Sequence, residues 1–509
     1  MKILDRVRGL SPYDRPLIQG RVLYTIYSLA LAVSLSIWFL AVRAPLWLDE
    51  AGSYWWISTG FSRIISRQGA ISSPAYLYIL WLSTKMIGAS EIALRIPSIL
   101  AMLGAVYLLY LAARELFDRD CAIFATIIFC LHPIVIFTSI DARPYAFAIL
   151  TTNAAILVLL RLRRNNSNGM AALLGLLAAW IVWFHFLFAT ILPALVLCFF
   201  LVKSCDRKTL WRQFGVALAA FAFAFLPVIP GLQFLFHTAG VYVYEAAPSP
   251  LDIVVTFVPT LGFLFVAFCI FLLVASASTQ QRKAASGTVI MQIQICLSLA
   301  FIPLLILYGV SAGTSIHTFA PRHRLDAVPG IALCWAMIFS VIRPRVLRLM
   351  ACVVLVAISA YLSYSSPSSW EHGFTWKYAL EFAEKSASAD NAPVVICSDF
   401  VETNILTRPL DLEKDSLYFS SLSYYRLSVP VVPLPMALND VAFRTGSLFL
   451  LEAAKKHERF LALANKRSYK TLDWLSQSAS ATHSVRKLGV FDDIEVLEFV
   501  PRTEAVASR

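Results

Sequence analysis

Three short clusters in this 509-residue chain hold side chains able to do chemistry. The first is Ala44-Pro45-Leu46-Trp47-Leu48-Asp49-Glu50-Ala51, two adjacent carboxylates just beyond an apolar run from Val22 to Val42. The second gathers Asp141, Arg143 and Tyr145 in one turn, and the third is Arg322-His323-Arg324. Carboxylates interleaved with arginines at a water–lipid boundary suit an acid–base step on a hydroxyl beside an anionic headgroup. The carboxylate takes a proton while the guanidinium groups hold negative charge. Each cluster also has a plainer reading. Asp49 is of a type that caps a helix, here one beginning at Glu50; Asp141 and Arg143 fit a solvated loop pair; Arg322, His323 and Arg324 fit flank charges of a span. His185 reads as a turn histidine, and Lys85 as either a snorkelling side chain or a phosphate contact.

The elements that must position these residues are membrane helices. Hydrophobic residues make up 59% of the chain and charged ones 15%, with a mean hydropathy of +0.70, so lipid rather than a soluble core must cover most of the apolar surface. Apolar segments at 22–42, 93–113, 121–139, 145–162, 171–185, 187–202, 212–230, 251–275, 288–311, 326–342 and 347–365 predict about eleven transmembrane helices. The formal charge of +12 does not point to nucleic acid, because the basic residues come in short clusters between the apolar runs. Those clusters are Arg114/Arg119, Arg161/Arg163/Arg164, Lys203/Arg207/Lys208, Arg282/Lys283 and Arg343/Arg345/Arg348. With the basic N-terminus they all fall on one side if the spans alternate, and by the positive-inside rule that side is the cytoplasm. No small-residue cleavage site stands where a leader would need one, so the first helix is expected to be retained. The nine cysteines have neither metal-site nor disulfide-framework spacing.

Two places test this scheme. The run 171–202 is too long for one span and short for two, so a tight pair of helices turning near His185 is expected. The piece 74–88, rich in Tyr and Trp, suits an interfacial or re-entrant helix. Under this topology the first loop, carrying Trp47, Tyr54, Trp55, Trp56, Arg63, Arg67 and Lys85, faces outward with the Asp141 turn and the Arg322 segment. Residues 1–365 would form the membrane domain and 366–509 a small exoplasmic α/β domain. Strands are expected at 392–397, 429–432 and 494–499, with helical spacing at 442–465 and 470–479.

The order of these pieces resembles the GT-C superfamily of integral membrane glycosyltransferases. It is most similar to the bacterial branch related to protein O-mannosyltransferases, the lipid A aminoarabinose transferase and the lipopolysaccharide galacturonosyltransferases. The resemblance runs through Pro45-Leu46-Trp47-Leu48-Asp49-Glu50-Ala51, Ser73-Pro74-Ala75-Tyr76-Leu77-Tyr78 and Ser90-Glu91-Ile92-Ala93-Leu94-Arg95-Ile96-Pro97-Ser98. It continues in Arg114-Glu115-Leu116-Phe117 and in His132-Pro133 leading to Asp141-Ala142-Arg143-Pro144-Tyr145-Ala146, then returns at Pro321-Arg322-His323-Arg324, with histidine where tyrosine is usual. The first 200 residues are well covered and the tail is not. The resemblance implies a sugar carried on a polyprenyl phosphate and transferred, with inversion, to an acceptor hydroxyl of lipopolysaccharide, another envelope glycan or a protein at the periplasmic face of a bacterial inner membrane. Asp49 would then be the base, with Glu50 or Asp141 orienting the acceptor; Asp49 and Asp141 would be the residues to share a divalent cation. Arg143, Arg322, His323 and Lys85 would face the donor phosphate, and Tyr76, Tyr78 and Tyr145 would touch lipid or acceptor. A transporter or flippase of lipid-linked sugars is the alternative from another class; it calls for internal repeats and mid-membrane ionisable residues.

Overall fold

The computed structural model describes residues 20–58, 60, 62, 73–202, 206–238, 246–260, 262–264, 267, 287–342, 344–365 and 375–502. Arg63, Arg67, Lys203, Arg282, Lys283 and Arg343 lie outside them. The first half is built from α1 (Gly20–Trp38), α2 (Leu48–Ser58), α3 (Pro74–Ile87), α4 (Glu91–Leu116), α5 (Arg119–Leu131), α6 (Pro133–Thr138) and α7 (Tyr145–Asn165). It continues with α8 (Asn168–Phe184), α9 (Leu192–Leu201), α10 (Arg207–Phe225), α11 (Ile229–Thr238), α12 (Pro250–Phe257), α13 (Gly287–Gly313), α14 (Val328–Ser340) and α15 (Arg345–Ser365). Every apolar segment read from the sequence is occupied by helix, although 251–275 is described mainly over α12. Among the described residues six helices are long and apolar enough to cross a bilayer, with α8 and the Phe186–Leu201 segment shorter. Large side chains such as Leu100, Tyr107, Trp211, Leu218 and Phe223 stay exposed around the bundle, the apolar surface that lipid covers.

Where helices meet, small residues let backbones approach. A Cβ at Gly175 would sit 2.0 Å from the Ala217 carbonyl oxygen, and one at Gly330 would sit 2.3 Å from the Ala300 nitrogen. Close α8–α10 and α13–α14 crossings therefore depend on glycine. The 171–202 run does break at His185, whose extended φ of −157° ends α8 before a 3-10 turn, Phe186–Ile191, leads into α9. Helix α3 has 14 residues, about 21 Å at 1.5 Å per residue and too short to span.

The charge clusters separate along the bundle. Arg95 sits near the start of α4 and Glu115 near its end, about 30 Å further on at the α-helical rise. At that far end Glu115 meets Arg161 (3.2 Å), Asp118 meets Arg348 (2.9 Å) and Asp120 meets Arg345 (3.4 Å). The basic flanks of α7 and α15 thus share one end, as strict alternation of spans requires.

The tail carries one five-stranded sheet in the order β2-β1-β3-β5-β4. Its strands are β1 (Val394–Cys397), β2 (Val431–Leu434), β3 (Phe460–Asn465), β4 (His483–Phe491) and β5 (Ile494–Pro501). β1 runs parallel to β2 and β3, while β5 is antiparallel to β3 and β4. Helices α16 (Lys377–Ala387), α17 (Ser420–Tyr424), α18 (Asp440–Lys456) and α19 (Tyr469–Ala479) complete it. The expected helix over 442–465 is corrected: α18 stops at His457, which turns left-handed at φ 48°, and 460–465 becomes the buried strand β3. β4 was not among the expected strands. Two apolar clusters, one around Leu380, Val394 and Leu461 and one around Val395, Phe460 and Leu475, give the tail its own core.

Candidate active site

The site is assembled on a buried ion pair. Glu50 is fully buried in α2 and meets Arg95 of α4 through two hydrogen bonds, Nε to Oε1 at 2.8 Å and Nη2 to Oε2 at 2.5 Å. The same guanidinium donates to the carbonyls of Ala41 (3.3 Å), Val42 (3.1 Å), Ala44 (2.6 Å) and Pro45 (3.1 Å). Glu50 accepts in turn from the amides of Ala142 (2.8 Å) and Trp47 (3.4 Å). One pair therefore fixes the end of the first span, the start of α2 and the Asp141–Pro144 turn. Buried charges persist only when paired and hydrogen-bonded this thoroughly, so the pair sets geometry rather than adding free stability.

Asp49, one residue earlier, has a different setting. Its side chain is 27% exposed and faces Arg143, with Oδ2 at 3.8 Å from Nη2. Arg143 also donates to the Asp49 carbonyl (3.2 Å) and the Ser53 hydroxyl (3.4 Å), and its own carbonyl accepts from Ser98 (3.2 Å). The plainer reading of Asp49 as a cap does not hold, because α2 already begins at Leu48 and it is Glu50 that reaches back to the Trp47 amide. A half-exposed carboxylate beside an arginine, both held by backbone pinned from below, can exchange a proton with a bound hydroxyl while the guanidinium faces an anion.

The remaining expected residues divide into two groups. Arg322 and His323 come to the same place, in a 3-10 segment, Pro321–Ala327, ahead of α14. Arg322 lies within electrostatic reach of Tyr145 and His185, and the His323 ring stands 5.9 Å from that of His185. His323 meets the Thr318 carbonyl through Nδ1 (2.8 Å), and burial beside Arg322 lowers its pKa to about 3, so at neutral pH it is an uncharged imidazole rather than a phosphate-binding cation. Arg324 is turned away into structure, donating to the Asp252 carbonyl (2.9 Å) and the Thr256 hydroxyl (2.7 Å).

Other expectations change place. Asp141 is 1% exposed and within the field of Arg95, so it stands beneath the site rather than facing an acceptor. Tyr76 and Tyr145 are each 1% exposed and pack inward, on Phe147 (5.9 Å) and His185 (5.1 Å), instead of presenting to lipid. Tyr78 is half-buried. Lys85 is exposed near the end of α3, with its ammonium 5.9 Å from the Trp81 ring, nine residues or about 13 Å of helix beyond Tyr76. Glu50 is saturated by Arg95, which removes it from the acceptor. For a shared cation, Asp49 and Asp141 differ in depth, and among the described residues no group of three or more His, Cys, Asp or Glu is arranged to hold a metal ion. Arg95 joins the site although the sequence marks it only as a lone guanidinium inside an apolar helix.

The tail closes one side. The Tyr425 hydroxyl accepts from the Leu46 amide (2.8 Å) and donates to Glu91 (2.7 Å), which also meets Lys377 (3.1 Å). Trp55 donates to Ser416 (3.0 Å), Tyr54 meets Tyr424 edge-on (4.9 Å), and Trp47 bridges Thr375. Glu402 of the tail lies within electrostatic reach of Asp49, and burial together with that neighbour raises its pKa.

Comparison with known proteins agrees with this architecture. Residues 72–234 match the family model described as dolichyl-phosphate-mannose-protein mannosyltransferase. The fold is similar to ArnT from Cupriavidus metallidurans in the apo state, at 13% identity and TM-score 0.57 over 92% of this chain and 97% of that one. ArnT bound to undecaprenyl phosphate matches at 13% identity and TM-score 0.54, with the same coverage. The Archaeoglobus fulgidus oligosaccharyltransferase tethered to an acceptor peptide matches at 11% identity and TM-score 0.53, over 93% of this chain and 73% of that one. No curated protein matches the chain in sequence.

Proposed function

We propose that this chain is a membrane glycosyltransferase of the GT-C type, which moves a single sugar from a polyprenyl-phosphate donor to a hydroxyl of an envelope acceptor; the family-model match over residues 72–234 and the fold likeness support the reading. The observation that carries the reading is the partly exposed Asp49–Arg143 pair, one residue along the chain from the buried Glu50–Arg95 pair. Asp49 takes the proton of the acceptor hydroxyl as its oxygen attacks the anomeric carbon. The bond from that carbon to the phosphate oxygen breaks on the opposite face, which inverts the centre. The departing phosphate gains negative charge, and Arg143 and Arg322 are the cations at hand to face it. Glu50, Arg95 and Asp141 act as positioning groups.

Two further parts of the reading have their own supports. Similarly folded proteins have been seen with undecaprenyl phosphate and with an acceptor peptide, which favours a lipid-linked donor and a separate acceptor here. The shared basic end of α7 and α15 favours a cytoplasmic placement of that end, leaving the site and tail periplasmic at a bacterial inner membrane. The test is mass spectrometry of envelope glycolipids and glycans from cells with the wild-type protein, without it, and with Asp49→Asn at matched abundance. Loss of one sugar mass in both altered strains identifies sugar and acceptor together. A normal profile in the Asp49→Asn strain, with loss only on deletion, would return the transporter reading.

A further inference from the structure

The tail contains a second polar site remote from Asp49. β1 lies between β2 and β3; the chain leaves β1 toward β2 and leaves β3 toward the opposite edge of the sheet. The carboxyl ends of β1 and β3 thus frame the crevice in which open α/β sheets bind ligands. Ser398 and Asp399 follow β1, Asn465, Arg467 and Ser468 end or follow β3, and pairing of Asn465 with Ile494 brings in Asp493. The Ser468 hydroxyl donates to the Ser398 carbonyl at 3.0 Å, tying the two strand ends together.

Two deep side chains each keep one polar atom uncommitted. Asp399 is 4% exposed; its Oδ2 accepts the Trp376 indole N–H, while Oδ1 has no hydrogen-bond partner among the described residues. Asn465 is 0% exposed; its Oδ1 accepts from the amides of Arg467 (3.0 Å) and Ser468 (3.2 Å), while Nδ2 has none. Buried polar atoms in folded proteins are nearly always paired, so two polar atoms left open at the joined ends of neighbouring strands call for a ligand able to satisfy both. A simple cation cannot accept from Asn465 Nδ2, whereas a hydroxyl both donates and accepts and so can meet Asp399 Oδ1 in either protonation state. Adjacent hydroxyls of a sugar do both.

We propose that this crevice is a carbohydrate subsite, one sugar hydroxyl meeting Asp399 Oδ1 and its neighbour accepting from Asn465 Nδ2, with Arg467 and Asp493 at the rim. Its place suits the outer residues of a glycan acceptor. Asp399 is three residues, at most about 10 Å of chain, from Glu402, which faces Asp49. That assignment to the acceptor rests on the transferase reading; the sugar site itself does not.

The experiment is titration of the full-length protein in lipid nanodiscs, by saturation-transfer NMR, with glucose, galactose, N-acetylglucosamine and lactose, and with inorganic phosphate and Mg²⁺ as counter-probes. At least one sugar is expected to bind saturably, roughly tenfold or more weaker in Asp399→Asn and in Asn465→Asp, which keeps the accepting oxygen and replaces only the open donor. Asp49→Asn protein should bind that sugar as wild type does, so a failed transferase reading would leave this result standing. If the buried variants do not fold, the exposed Arg467→Ala decides, with weaker binding supporting the site. No sugar binding at tens of millimolar, affinity unmoved by Arg467→Ala and the folded crevice variants, or displacement of the sugar by Mg²⁺ or phosphate alone would overturn it.

Discussion

Asp49 and Glu50 are neighbours in sequence but belong to different physical regions. Glu50 is sealed under α2 with every oxygen engaged by Arg95 and backbone amides, whereas Asp49 is partly open and meets Arg143 at 3.8 Å. The difference separates two tasks one residue apart: the inner pair holds three chain segments in register, and the outer pair stays loosely enough bound to engage a substrate. Depth, not residue type, assigns the roles.

The comparison can be broken by treating the pairs alike. Arg95→Ala or Glu50→Ala should have the largest effect, about 3–5 kcal/mol of lost stability, because each strands a buried charge; thermal unfolding and abundance in membranes would show it. Asp49→Asn should leave melting unchanged and lower transfer by on the order of 10²–10⁴ in a single-turnover assay. Equal melting losses for Asp49 and Glu50 variants would erase the distinction. Arg143→Ala should lower transfer by on the order of 10²–10³, with kcat falling more than donor KM rises, since its charge matters most as the phosphate leaves. Lys85→Ala, remote along α3, should change transfer by less than about twofold under the same assay, as ordinary surface substitutions do.

A third carboxylate sharpens the contrast. Asp399 has the depth of Glu50 but an indole in place of the arginine, and burial, reinforced by Asp493 and only partly offset by Trp376 and Arg467, pushes its pKa up to about 8. A folded pKa raised above the unfolded value gives stability that is complete below about pH 4 and lost as pH rises through about 8. Tail stability, followed by thermal scans of the full chain between pH 5 and 8, should fall in wild type and flatten in Asp399→Asn.

Much of this was legible in the residues, and what was not has physical causes. The spans, the turn at His185 and the short α3 follow from run length and flanking charge, which a bilayer reads as directly as a sequence does. Asp49, Arg143, Arg322 and His323 were brought together as expected from their shared side. β3 was hidden because Phe-Leu-Ala-Leu-Ala-Asn is fully buried and continues the apolar content of α18, so no alternation marks it. β4 was hidden for the opposite reason, as a basic edge strand whose Ser484, Arg486 and Lys487 mask its period. The depth of Tyr76, Tyr145 and Asp141, and the saturation of Glu50, depend on contacts between segments far apart in sequence, which no local pattern records.

Glu91 links the tail, through Tyr425 and Lys377, to the first turn of α4, one helical turn before Arg95. The soluble domain is thereby geared to the membrane bundle at the point where the site is anchored. With the Tyr425–Leu46 and Trp55–Ser416 contacts, this link gives the tail a short lever on the backbone that carries Asp49 and Arg95.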